Sequence, residues 1–131
     1  MENTIRVLIA DEDKEFCAML RETFCIDERM EIIGTYGDGN GLAQRILQDA
    51  PDVVLMDIRM PVMDGLEATR RIRSVSADVP IIAMSAYSSG SEIESARNAG
   101  CNEFLVKPLS QYSLHRALNA ALVEFKGKGK S

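Results

Sequence analysis

Five short apolar runs recur along the chain, separated by segments of helical spacing, and no other feature constrains the fold as much. The runs cover residues 5–10, 31–36, 53–56, 81–84 and 104–106. Most are continuous rather than alternating, as expected of parallel strands covered on both faces. The second is the most polar, which places it at a sheet edge. Between the runs, Phe16, Leu20 and Phe24 recur every four residues, and Leu42, Ile46 and Leu47 form a second stripe. Leu66, Thr69 and Ile72 form a third, with Asp64 placed to cap it. Ile93, Ala96 and Ala99 give a weak fourth, closed by Gly100. Leu114, Leu118, Ala121, Leu122 and Phe125 make the last. Strand and helix alternating five times predicts an α/β fold, a parallel sheet with right-handed crossovers and helices on both faces.

With 131 residues the chain has room for one domain. We assign residues 1–125 to it and residues 126–131, which are Lys- and Gly-rich, to a flexible linker or tail. The net charge of −5 argues against bulk nucleic-acid binding, which needs a basic surface. No apolar run approaches the roughly 20 residues of a membrane span, and the first residues lack a signal-peptide pattern. Cys17, Cys25 and Cys101 are odd in number and far apart. They read as free thiols filling apolar space in a reducing cytoplasm, which is the expected location.

The chemistry lies at the strand ends. Run one leads into Asp11, Glu12 and Asp13, run three into Asp57, run four into Ser85 and run five into Lys107. In open parallel sheets, ligands bind outside the carboxyl ends of the strands, where strand order reverses. A polar residue after any single strand is ordinary loop chemistry. Two carboxylates, a third carboxylate, a hydroxyl and an ammonium arriving together are not. Asp11, Glu12 and Asp57 brought close would repel one another unless a cation sat among them. Oxygen donors without His or Cys select a hard ion such as Mg²⁺, which completes its shell with water and phosphate oxygens. Lys107 and Ser85 would hold further phosphoryl oxygens. A carboxylate can itself be the nucleophile, and Asp57 is the best candidate because it ends the most apolar run. No glycine-rich nucleotide loop is present.

Four blocks carry a resemblance: Val7-Leu8-Ile9-Ala10-Asp11-Glu12-Asp13, residues 51–65 centred on Met56-Asp57-Ile58-Arg59-Met60-Pro61, Pro80-Ile81-Ile82-Ala83-Met84-Ser85-Ala86, and Phe104-Leu105-Val106-Lys107-Pro108. Over about residues 4–125 the chain resembles a receiver domain of a two-component response regulator. The resemblance implies a flavodoxin-like (βα)5 three-layer sandwich with a five-stranded parallel sheet of order 2-1-3-4-5. It implies that Asp57 accepts phosphate from a histidine kinase or phosphotransfer protein. It further implies that Asp11, Glu12, Asp57 and the backbone carbonyl of Arg59 organise Mg²⁺, and that Ser85 and Lys107 hold the phosphoryl group. Ser85 and Phe104 then form the switch pair, Arg59 and Tyr87 tune the rates, and the Lys107–Pro108 bond is cis. The expected active-state homodimer uses the fourth helix, fifth strand and fifth helix.

Three positions depart from the commonest family pattern. Glu12 replaces a second Asp, Lys14 stands where Pro is frequent, and Ser85 stands where Thr is common. None removes a required group. His115, the only histidine, reads as a surface or partly packed side chain, and Arg70, Arg71 and Arg73 as a solvated run complementing a helix dipole. The expected role is a phosphoacceptor switch without an independent substrate. Its expected output is transcription through a separate DNA-binding domain, the only route by which DNA would be engaged. The alternatives are a stand-alone regulator acting by protein contact and the receiver module of a hybrid histidine kinase. A flavodoxin-like binder of a small molecule would not need this set of acids and lysine.

Overall fold

A computed structural model describes residues 4–25, 29–75, 78–86 and 89–129, with backbone alone at residues 25 and 123–129. Its elements are β1 (Ile5–Ala10), α1 (Lys14–Cys25), β2 (Met30–Tyr36), α2 (Leu42–Asp49), β3 (Val53–Asp57), α3 (Gly65–Val75), β4 (Ile81–Ser85), α4 (Gly90–Ala99), β5 (Glu103–Val106) and α5 (Gln111–Gly129). The strands form one parallel sheet in the order β2-β1-β3-β4-β5. This is the flavodoxin-like arrangement, with the polar β2 at an edge.

The continuous apolar runs split by parity, because successive side chains on a strand point to opposite faces. Leu8, Ala10, Val54, Met56, Ile81 and Ala83 pack with Leu42, Ile46, Ala68, Ile72 and Ala96, so α2, α3 and α4 cover one face. Val7, Ile9, Val53, Leu55, Ile82 and Met84 pack with Leu20, Phe24, Leu114 and Leu118, so α1 and α5 cover the other. Each fully buried Leu or Ile contributes about 1.5–3 kcal/mol. These central strands therefore fix the ends on which the polar residues stand.

Local signals set the helix ends. Asp64 Oδ1 accepts the Glu67 N–H at 2.9 Å and caps α3. Asp13 Oδ1 accepts the N–H groups of Glu15 and Phe16 at 3.0 and 3.1 Å, so α1 is capped by a side chain although Lys14 replaces proline. Gly100 closes α4 at φ 119°, where an added Cβ would also meet Arg73 Cγ at 2.7 Å. The helix α5 continues to Gly129, past Phe125 and into the segment read as a flexible tail.

The arginine run is corrected. Arg70 and Arg71 are exposed and pair with Glu67, as the solvated reading requires. Arg73 instead turns inward, donating to the carbonyls of Gly100 at 2.9 Å and Val79 at 2.7 Å and to Asn102 Oδ1 at 2.9 Å. It ties α3 to the turns flanking β4 and β5. Cys17 and Cys101 are buried free thiols whose pKa values burial pushes up, which suits packing rather than reactivity. The side chain of Cys25 lies outside the described residues. His115 is half-buried, with Nδ1 2.8 Å from the Gln111 carbonyl within its own helix.

Candidate functional site

β1 and β3 are neighbours in the sheet, so the residues that end them stand side by side. Asp57 ends β3 and Asp11 follows β1; both are buried. Lys107, just beyond β5, reaches across to both. Its Nζ lies 2.6 Å from Asp11 Oδ2 and 3.2 Å from Asp57 Oδ2. The same ammonium sits 4.3 Å from the centroid of the Phe16 ring, which shields it from the α1 side. The Lys107–Pro108 peptide is cis. Backbone donors complete the carboxylate shells: Asp13 N–H to Asp11 Oδ1 at 2.9 Å and Arg59 N–H to Asp57 Oδ1 at 3.0 Å.

The loop after Asp57 returns tightly, with Gly65 N–H donating to the Ile58 carbonyl at 3.2 Å. A Cβ on Gly65 would lie 2.2 Å from the Asp57 carbonyl oxygen, so only glycine lets α3 begin there. Within this loop, exposed Val62 is held at φ 66°, a left-handed conformation costing a β-branched residue about 1–2 kcal/mol.

Two buried carboxylates share one ammonium, leaving an excess negative charge. Burial raises the Asp57 pKa above its ordinary value; the Arg59 N–H and the Lys107 charge oppose this, and the Asp11 charge adds to it. Lys107 is itself held above its ordinary value, because its hydrogen bond to Asp11 and the charge of Asp57 outweigh its own desolvation. The site stores a proton-like demand that a cation could meet.

Ser85 is buried at the end of β4, and its hydroxyl donates to Glu92 Oε1 at 3.0 Å. The other oxygen of Glu92 pairs with the Arg59 guanidinium. Glu92 was not singled out by the sequence reading, although Ser89-Gly90-Ser91-Glu92 is a helix-capping pattern. Ser89 Oγ does accept the Glu92 N–H at 3.2 Å. The Glu92 carboxylate, however, turns to Ser85 and Arg59.

A family model for the response regulator receiver domain matches residues 7–119. The chain belongs to this family. As a receiver domain it is 32% identical over 117 residues to the chemotaxis protein CheY of Bacillus subtilis, covering 89% of this chain and 97% of that protein. It is 37% identical over 125 residues to the transcriptional regulatory protein PdtaR of Mycobacterium tuberculosis, covering 92% of this chain and 58% of that one. A protein-glutamate methylesterase/protein-glutamine glutaminase of Nocardioides is 34% identical over 116 residues, and the chain spans 32% of its length. Among solved structures, the CheX-CheY-BeF3-Mg²⁺ complex from Borrelia burgdorferi is similar with TM-score 0.82 and 26% identity, over 88% of this chain and 87% of that one.

The receiver fold thus gathers Asp11, Asp57 and Lys107, and brings Ser85 and Arg59 to the same rim. Glu12 is exposed and lines a shallow pocket together with Asp11; among the described residues no three His, Cys, Asp or Glu side chains form a cage for an ion. Asp11 and Asp57 thus form a buried pair, with Glu12 an exposed acid next to Asp11 at its edge. Mg²⁺ needs only one or two carboxylates and keeps several waters, so the pair still fits it. Phe104 is half-buried beside α4, at a groove of about 540 Å³ lined also by Ile93, Ala96, Arg97 and Val106. Tyr87 lies outside the described residues. No helix among the described residues is long and apolar enough to cross a membrane.

Proposed function

We propose that this receiver domain accepts a phosphoryl group on Asp57 and passes the change to an output through Ser85 and Phe104. The observation that carries the reading is the Asp57 carboxylate, buried at a central strand end and held by Lys107 and the Arg59 N–H. A carboxylate oxygen of Asp57 attacks phosphorus. The P–N bond to a donor imidazole breaks with its electron pair returning to the ring, and an acyl phosphate forms. Lys107, already 3.2 Å from Asp57, neutralises charge on the arriving phosphoryl oxygens. Later attack by water on phosphorus returns the carboxylate and releases phosphate.

Asp11, Asp57 and the Arg59 carbonyl, with Glu12 at the rim, would hold Mg²⁺, and the ion would supply charge neutralisation at the phosphoryl oxygens. The donor is a sensor histidine kinase or phosphotransfer protein. Arg59 and Tyr87 tune the lifetime of the acyl phosphate. No independent substrate is turned over, so the domain acts as a switch rather than an enzyme, in the cytoplasm. Its output is transcription through a separate DNA-binding domain, with a homodimer forming across α4, β5 and α5 in the phosphorylated state. The 37% identity to the transcriptional regulatory protein PdtaR favours a transcriptional output, whereas the likeness to a CheY solved in complex with CheX favours action by protein contact.

Intact-mass measurement after incubation with a small phosphodonor and Mg²⁺ tests the assignment. One base-labile phosphoryl group should appear, vanish in Asp57→Ala, and form on the order of 100-fold more slowly in Lys107→Ala. An adduct mapped to Ser85, or one retained in Asp57→Ala, would overturn it.

A further inference from the structure

Glu92 stands in the first turn of α4 and touches two groups the proposed chemistry needs. Its Oε1 accepts the Ser85 hydroxyl at 3.0 Å, and its Oε2 is paired with the Arg59 guanidinium. Ser85 ends β4, and Arg59 lies two residues after Asp57, where its own N–H donates to the Asp57 carboxylate. One carboxylate therefore ties α4 to the ends of β3 and β4, beside the acceptor. Ser89 caps the helix independently, so the Glu92 carboxylate is not needed to start α4.

A serine hydroxyl has one proton to donate. While it is given to Glu92 it cannot be given to a phosphoryl oxygen on Asp57. The Arg59 guanidinium is likewise paired with Glu92. A phosphoryl group beside Ser85 would also bring its negative charge toward the Glu92 carboxylate, and like charges at that range repel. We infer that Glu92 is a positioning residue, a latch that holds Ser85 and Arg59 off the phosphoryl position, and that phosphorylation must release it. Occupancy at Asp57 is thereby tied to the N-terminal turn of α4 through this one side chain. The inference rests on Asp57 being the phosphoryl acceptor.

Beryllofluoride with Mg²⁺, titrated into each variant and followed by amide chemical shifts, separates the two readings. A hydrogen bond to a charged partner is worth about tenfold or more in an equilibrium, and a neutral amide keeps part of it. Glu92→Gln, which keeps the shape but not the charge, should therefore bind beryllofluoride roughly three- to tenfold more tightly than wild type. Glu92→Asp, one methylene too short to bridge both partners, should fall between them. Exposed Glu94 is the control for charge in the same helix, and Glu94→Gln should leave the affinity unchanged. In a Ser85→Ala background the gain from Glu92→Gln should shrink, since no hydroxyl remains to be released. Without beryllofluoride, the Ser85 and Arg59 amide shifts of Glu92→Gln should lie part-way toward those of the bound wild type. Wild type that binds but is matched by Glu92→Gln, or a gain of full size in Ser85→Ala, would overturn the latch and leave the acceptor standing. Wild type whose Asp57 region does not respond to beryllofluoride would overturn both.

Discussion

β3, β4 and the stretch of β1 from Val7 onward are buried and lead to Asp57, Ser85 and Asp11, whereas β5 is half-buried and α4 buries little beyond Ala96 and Ala99. The first region is filled on both faces by large aliphatic side chains. The second has Phe104 half-buried beside an open groove of about 540 Å³ and is tied down by polar contacts from Arg73, Glu92 and Lys107. The contrast assigns a task to each. A close-packed strand end holds carboxylates at fixed separation at a desolvation cost, and a sparsely packed helix can move for little energy.

The largest test of this contrast is stability. Leu55→Ala, in β3, should cost about 2–5 kcal/mol in urea unfolding, as buried truncations do. Phe104→Ala should cost clearly less despite removing a larger side chain, because its groove is already open on one side. Equal losses would erase the distinction.

Arg73→Ala should come next. It leaves three acceptors at the α3–β4–β5 junction without their charged donor and should cost about 1–3 kcal/mol. Arg70→Ala breaks an exposed pair with Glu67 and should change stability by no more than about 0.5 kcal/mol. Hydrogen exchange should locate the Arg73 loss at β5 and the end of α4, with β1 and β3 unaffected.

A smaller effect follows from Asp57. Its pKa is raised by burial above 3.8, so the native state keeps a proton that the unfolded chain has lost. Native stability therefore falls as pH rises from 3.8 through the raised value, and the loss persists at neutral pH. Asp57→Asn should be more stable than wild type at pH 7, and the advantage should fade as pH drops below 3.8. Chemical unfolding at several pH values checks both the sign and the window.

Much of this was legible in sequence because it is local. Parity within the apolar runs, Asp64 before α3 and Gly100 after α4 act over a few residues. Asp11, Asp57 and Lys107 were legible because every strand of a parallel sheet points its carboxyl end the same way. Glu92 and Arg73 were not, since their partners lie 6 to 33 residues away and depend on side-chain direction at helix and loop ends. Nothing in Pro61-Val62-Met63 marks a left-handed valine.

The central claim is that occupancy at the stiff strand ends is read out at the loosely packed edge. Amide chemical shifts with and without beryllofluoride and Mg²⁺ test it directly. Perturbations beyond the Asp57 pocket should run from Ser85 to Val106 and into α5, with the Phe104 ring changing environment. Changes confined to α1 and α2, with Phe104 unmoved, would contradict it.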